Sequence, residues 1–207
     1  MDIRGYALPG MKLLLIGETS AIAQALRPIL ERKYDVNVQS SRKFPESLDY
    51  DIVINCTGLS LLNDLAMPHL LSNKVIKVNC NLAVILLSDF LYPMQQQKFG
   101  RIIFLSSVCS EINLKGHGVY SASKAFIDKL VKIAALENAE YGITVNSIQL
   151  GYTGIGMSDI PDEIERMKNK SAMKRFCTMQ ELANAINFIV DTEYFTGQNL
   201  RLDGFIK

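Results

Sequence analysis

Three side chains in the middle of this chain have the types and spacing for acid–base work on a carbon–oxygen bond. Tyr120 and Lys124 stand four residues apart at the start of a helical pattern, so the phenol and the ammonium lie on one helix face. A free tyrosine titrates near pH ~10 and is a reluctant acid and a poor base at neutrality. A cation beside it favours the phenolate and is expected to lower that value, letting the phenol exchange a proton with an alcohol or carbonyl oxygen. Ser107, thirteen residues before Tyr120, ends a run that reads as a buried strand, Arg101 to Leu105 followed by Ser106 and Ser107. A hydroxyl there can hold the same oxygen in place, which is the positioning half of carbonyl reduction.

The flanking elements must bring these groups to a hydride donor or acceptor. Leu13 to Ile16 reads as a short apolar strand, followed by the turn Gly17-Glu18-Thr19-Ser20-Ala21-Ile22-Ala23 and a helical pattern to about Lys33. Strand, glycine turn and helix form a dinucleotide-binding opening, in which helix N-terminal amides face a pyrophosphate. A phosphate loop of the Gly-x-x-x-x-Gly-Lys type is excluded, because no Gly-Lys pair follows. Asp35 to Gln39 reads as a second strand, ending in Ser40-Ser41-Arg42-Lys43. An acid at that position binds the ribose hydroxyl of NAD, whereas an arginine pairs with the extra phosphate of NADP. Two cations and no acid favour NADP (NADPH) over NAD, with Ser41 and Arg42 as contacts and Lys43 in support.

A third strand, Asp51 to Asn55, leads into Cys56-Thr57-Gly58, where a glycine past a buried strand lets backbone approach a ligand. Leu59 to Leu71 reads as an apolar connector, with His69 a surface or capping residue, and Val75 to Gln97 as a long helix containing Asn79 and Asn81. The helix opened by Tyr120 stops at Gly142, and Ile143 to Ile148 forms the next strand, ending in Gln149-Leu150-Gly151-Tyr152-Thr153. Residues 154 to 176 are expected to be a mobile segment over the substrate, and Gln180 to Val190 the last amphipathic helix.

On Ser107, Tyr120 and Lys124, with the strand that precedes them and the helix they open, the sequence resembles the short-chain dehydrogenase/reductase family. The resemblance runs from about Met11 to the closing Thr196-Gly197-Gln198 and Asp203-Gly204 pieces. It implies that Ser107, rather than Ser106, Tyr120 and Lys124 are catalytic, and that Asn79, twenty-one residues before Gly100, holds a relay water, with Asn81 the competing assignment. It further implies that the cofactor is bound by Gly17, Thr19, Ser20, Ala21 and Ile22 at the phosphate turn. Asn55, Thr57 and Gly58 match the family's Asn-Asn-Ala-Gly strand end, Tyr120 and Lys124 lie at the ribose, and Gly151 and Thr153 at the nicotinamide. The family's Gly-x-x-x-Gly-x-Gly turn keeps only Gly17, with Ala21 and Ala23 in the later glycine positions. Only eight residues lie between Arg42 and Asp51, so the family's third strand and helix are reduced. The expected fold is an α/β Rossmann-type doubly wound parallel sheet of six strands, with helices on both faces. A homodimer or homotetramer is implied, the apolar positions after Lys124 being core or part of an interface between copies.

Bulk properties narrow the alternatives. At 207 residues, 48% hydrophobic and 21% charged, the sequence suits one globular domain, residues 11–207, after an N-terminal extension of residues 1–10. A net charge of +1 with scattered basic residues favours neither nucleic acid nor an anionic membrane as partner. Cys56, Cys80, Cys109 and Cys177 form no Cys-x-x-Cys pair, which reads as reduced thiols in a cytoplasmic protein. With His69 and His117 the only histidines, no metal site is expected. No apolar run approaches the roughly 20 residues of a membrane span. The sequence therefore predicts an NADP(H)-dependent oxidoreductase interconverting a carbonyl and a secondary alcohol on a small molecule. The rival is a non-catalytic nucleotide-binding regulator or scaffold, motivated by Ala21, Ala23 and the shortened third unit. A sugar-nucleotide epimerase is disfavoured, because the longer C-terminal substrate region of those enzymes is lacking.

Overall fold

In the computed structural model, residues 10–43, 45, 47–61, 65, 69–156 and 159–206 are described. Residues 1–9 of the expected extension and most of the Leu59–Leu71 connector's centre lie outside them. The apolar runs of the sequence become strands buried on both faces. Leu13, Leu14 and Leu15 of β1 (Lys12–Ile16) are wholly inaccessible, as are Ile52 and Ile54 of β3 (Ile52–Asn55). Unbroken rather than alternating hydrophobicity is what a parallel sheet covered on both sides requires. With β2 (Asp35–Gln39), β4 (Gly100–Ser107), β5 (Ile143–Leu150) and β6 (Asn199–Leu202) these form one six-stranded sheet, in the order β2-β1-β3-β4-β5-β6. Every pairing is parallel. The expected six strands and Rossmann-type winding are found.

Helices cover both faces. On one, α1 (Ala21–Leu30) and α6 (Met179–Asp191) bury Leu26, Leu30, Leu182 and Ile186 against β1, β3 and β5. On the other, α3 (Leu82–Gln97) and α4 (Gly118–Asn138) bury Leu86, Phe90, Ile127 and Val131 against Leu14, Val53 and Ile102. The stretch Leu71–Gln97 is long and apolar enough by composition to cross a membrane. Its C-terminal part earns that composition by packing, since Leu86, Leu87, Phe90 and Met94 are buried against the sheet.

The described residues of the link from β2 to β3 cross the α3 face and form no helix among themselves. Leu48 and Tyr50 pack on the second cluster, with the Tyr50 ring edge-on to Phe90 at 6.3 Å. The Asp51 amide then donates to the Lys12 carbonyl at 3.0 Å, which sets the start of β3. β2 is consequently an outer strand.

Three elements differ from the sequence reading. The long helix begins at His69 as α2 (His69–Ile76) and passes through a π turn, Lys77–Asn81, before α3. The strand before the loop extends through both serines. Within 154–176, read as a mobile segment, lies a helix, α5 (Pro161–Lys170), with proline in its first turn, Asp162 and Glu163 beside it, and Lys168 and Lys170 in its last turn. Those are ordinary helix-start and helix-end signals, with charges complementing the helix dipole.

Candidate active site

Because all six strands run the same way, their C-terminal ends form one edge, and the loops leaving them meet there. At the end of β1 the chain turns at Gly17, whose φ is +119°, a conformation suited to glycine. The Gly17 and Glu18 amides donate to the Gln39 carbonyl at 2.8 and 3.1 Å, tying this turn to the end of β2. A Cβ on Gly17 would lie 3.2 Å from the Thr57 side chain and 3.3 Å from the Cys56 backbone. Ser20 caps α1, its Oγ accepting from the Ala23 amide at 3.4 Å. The amides of Ala21 and Ile22, in the helix's first turn, have no intrahelical acceptor. At the end of β3 the Asn55 Oδ1 accepts from the Thr57 amide and hydroxyl at 3.0 and 2.6 Å, an Asx turn that presents Gly58. A Cβ on Gly58 would come 3.4 Å from Lys124 Nζ. Gly151 is equally constrained, since a Cβ there would sit 2.7 Å from Asp203 Cα.

β4 and α4 supply the chemistry. Ser107 and Tyr120 line the same wall, and the Ser107 hydroxyl beside the phenol favours its ionised form. Ser106 instead turns to the Lys124 carbonyl at 3.5 Å. Lys124 is buried, with Nζ donating to the Leu105 carbonyl at 2.8 Å and lying 5.8 Å from the centre of the Tyr120 ring. Burial pulls the lysine down from its ordinary range to about 8, with Asp128 the leading opposing influence. Burial also raises the Tyr120 phenol, outweighing Ser107, with Cys109 pushing the same way. The expected depression of the phenol by the ammonium is therefore corrected: desolvation of the phenolate dominates.

Asn79 sits in the π turn, 1% exposed, whereas Asn81 is exposed. Its Oδ1 accepts from the Leu59 amide at 2.8 Å, and its Nδ2 donates to the Leu59 carbonyl at 3.1 Å and to Ser123 Oγ at 2.8 Å. Ser123 Oγ donates in turn to the Tyr120 carbonyl at 2.7 Å. The carboxamide thus clamps the loop after β3 to the first turn of α4.

A cleft of about 620 Å³ joins these parts, lined among others by Ser20, Ile22, Thr57, Gly58, Ser107, Tyr120, Lys124, Gly151 and Thr153. Gly17, Thr19, Ala21, Asn55 and Asn79 shape its surroundings without lining it. Ser41 and Arg42 line a separate hollow of about 100 Å³ with Lys43, Gln39 and Asp89, at the end of β2. Sequence reasoning missed His117, Cys109, Glu163 and Arg166, all in the cleft wall. The His117 ring meets Tyr120 edge-on at 6.5 Å and its Nδ1 lies 3.2 Å from the Lys115 carbonyl, which fixes Nδ1 as the donor in that bond. The Glu163 and Arg166 positions follow from the helix signals of 161–170. Among the described residues no group of three or more His, Cys, Asp or Glu is placed to hold a metal ion.

A glycine turn feeding a helix N-terminus, opening into a cleft that also holds a buried lysine and a tyrosine one helical turn apart, defines a dinucleotide-type oxidoreductase. Comparison with known proteins narrows this. The family profile described as enoyl-(acyl carrier protein) reductase matches residues 42–204. The 3-oxoacyl-[acyl-carrier-protein] reductase of Buchnera aphidicola subsp. Schizaphis graminum is 30% identical, the match covering 93% of this chain and 75% of that one. The acetoacetyl-CoA reductase of Allochromatium vinosum is 31% identical over 83% of this chain and 72% of its own. Among solved structures, a 3-oxoacyl-[acyl-carrier protein] reductase from Brucella melitensis superposes with a TM-score of 0.85 at 18% identity, covering 97% and 92% of the two chains. A structure described as ElxO with NADP bound gives 0.81 at 19%, covering 94% and 98%. The chain belongs to the short-chain dehydrogenase/reductase family and is an oxidoreductase.

Proposed function

We propose that this protein reduces a carbonyl group of a small molecule to a secondary alcohol with NADPH, or runs the reverse with NADP. The observation that carries this reading is the single cleft in which Ser107, Tyr120 and Lys124 meet the phosphate turn and the ends of β3 and β5. The residues fit a dinucleotide. Gly17, Thr19, Ser20, Ala21 and Ile22 form the turn for its pyrophosphate, with the orphan amides of α1 facing the anion. Asn55, Thr57 and Gly58 lie along its middle, the missing side chain of Gly58 giving access to Lys124. Gly151 and Thr153 flank the nicotinamide end. Ser41 and Arg42 line the hollow where the second phosphate of NADP would sit. The NADP-bound relative supports this cofactor.

When bound, the cofactor supplies or accepts the hydride. Tyr120 then gives a proton to the substrate oxygen from its hydroxyl. Burial raises the phenol above its ordinary value, so the hydroxyl carries the proton that reduction of the substrate oxygen consumes. Ser107 Oγ orients that oxygen by a second hydrogen bond. Lys124 stabilises charge developing on the phenol, and Asn79 fixes the helix start from which Tyr120 projects and would hold the relay water that the family resemblance implies. Exposed Phe126, Ile133 and Leu136 on α4 support a dimer or tetramer.

The decisive experiment is calorimetric titration with NADPH and, separately, NADH, followed by assay on 3-oxoacyl thioesters, the substrate type that the relatives' names suggest. NADPH is expected to bind and NADH to bind more weakly. Arg42→Ala should weaken NADPH about 10–100-fold, the loss of one charge-assisted contact, and leave NADH unaffected. Equal loss for both cofactors would remove Arg42 from the phosphate site. Binding of neither would favour the scaffold reading that Ala21, exposed on the phosphate turn, motivates.

A further inference from the structure

One charged side chain close to this site has no part in the scheme above. Asp128 lies one turn beyond Lys124 on α4, so Tyr120, Lys124 and Asp128 form a single stripe at four-residue spacing. It is buried, with 6% of its surface exposed. An ionised carboxylate so placed is costly unless its oxygens are satisfied. Here both are: Oδ1 accepts from Ser147 Oγ at 2.8 Å and Oδ2 from Gln149 Nε2 at 2.8 Å. Both donors come from β5, the strand on which this part of α4 packs.

The network continues outward. Gln149 Nε2 also lies 2.9 Å from Ser110 Oγ and 2.9 Å from Glu111 Oε1. Glu111 in turn faces Arg201 at 3.7 Å, and Arg201 pairs with Asp203. Ser147 reaches Asn199 of β6 at 2.9 Å. The hydrogen-bond donors to Asp128 are neutral, so its negative charge is left for a cation to balance.

Lys124 needs such a partner. Its ammonium donates to a neutral carbonyl, that of Leu105. The ionisable groups that bear on it are Asp128 on its own helix, Cys80 from the π turn, Cys56 from the end of β3 and Cys109 after β4, with the Tyr120 ring alongside. Asp128 is the carboxylate of this set. It has the largest influence toward the charged form.

We propose that Asp128 is a positioning residue that acts through Lys124: its buried carboxylate, held in place by Ser147 and Gln149, keeps the lysine an ammonium, and thereby available to Tyr120. This rests on the reading of Tyr120 and Lys124 as the proton-transfer pair. The Glu111–Arg201–Asp203 set at the network's outer end holds Gln149, and through it the orientation of the carboxylate.

The test joins a pH profile to a stability cycle. Without the carboxylate, the ammonium loses its proton more readily, so the alkaline limb of carbonyl reduction should move to lower pH. In Asp128→Asn that shift should be about one pH unit, with turnover about tenfold lower on the alkaline side and little changed at pH 6. Asp128→Glu keeps the charge and should largely restore the limb. A merely structural Asp128 would lower activity by the same factor at every pH, and that result overturns the proposal.

Thermal unfolding of the wild type, Asp128→Asn, Lys124→Met and the double variant needs no turnover. Asp128→Asn should cost less stability when Lys124 is already methionine. Equal costs in both backgrounds would overturn the proposal. If Asp128→Asn alone does not fold, the double variant should, because the uncompensated charge is gone; an unfolded double variant counts against it. A wild type without carbonyl reductase activity but with this coupling would place the failure in the proposed reaction and leave the Asp128–Lys124 relation standing.

Discussion

Replacing Tyr120 by phenylalanine is expected to lower carbonyl reduction by about 10²–10⁴-fold while NADPH still binds, the range over which a positioned general acid contributes. The substitution removes one oxygen and keeps the ring, so the edge-on contact with His117 and the clamp from Asn79 through Ser123 to the Tyr120 carbonyl survive. What is lost is the hydroxyl that faces Ser107 in the cleft. Ser107 alone can orient a substrate oxygen but its proton is far less available than a phenol's. Steady-state consumption of NADPH, with affinity measured separately by calorimetry, reads the two effects apart. Wild-type turnover in Tyr120→Phe would remove the assignment.

Lys124→Met should be both less active and differently stable. Turnover is expected to fall about 10²–10³-fold, the usual loss when one group that stabilises developing charge is deleted. Stability follows from linkage. The folded lysine titrates near 8 instead of at 10.5, so the unfolded chain binds more protons between those values. The wild type therefore carries a penalty that is full below pH 8 and disappears as pH rises to 10.5, about 3 kcal/mol in all. Lys124→Met lacks it. The difference in unfolding free energy, variant minus wild type, should be largest below pH 8 and shrink by about that amount by pH 10.5. Cys56 and Tyr120, both raised by burial, act in the opposite sense in each protein, which is why the difference curve is the measurement. Loss of the Leu105 partner adds a constant offset. A flat difference curve would mean that Lys124 is not held in a desolvated site.

The strands were legible because a covered parallel strand is an unbroken apolar run, and the sheet ladder left those runs little freedom of placement: β2 coincides with the expected Asp35 to Gln39. The reduced third unit was legible from chain length alone. The route of the link was not, since it depends on Leu48 and Tyr50 finding Phe90 across the sheet face. Tyr120, Lys124 and Ser107 could be read from spacing, because helix and strand periodicities fix which side chains share a face. Their protonation could not. It turns on desolvation, and the groups that enclose Lys124, among them Cys56, Cys80 and the Leu105 carbonyl, come from elements distant in sequence. Helix α5 has its start signals in Pro161, Asp162 and Glu163, but the methionines and mixed charges of 154–176 give it no apolar stripe to mark it as an element. Asp128 was also within reach, as the next position in a four-residue stripe, yet nothing in composition distinguishes a buried aspartate from a solvated one.

The π turn at Lys77–Asn81 holds one residue more than an α-helical turn can. Rewinding the same residues as regular α-helix would turn everything before them by about 100° relative to α3. Asn79 would swing out of register with Ser123 and with the Leu59 backbone it joins on both sides. The widened turn is thus what aims the Asn79 carboxamide at both the loop after β3 and the start of α4, and a change that shed it while keeping the residues would release both contacts together.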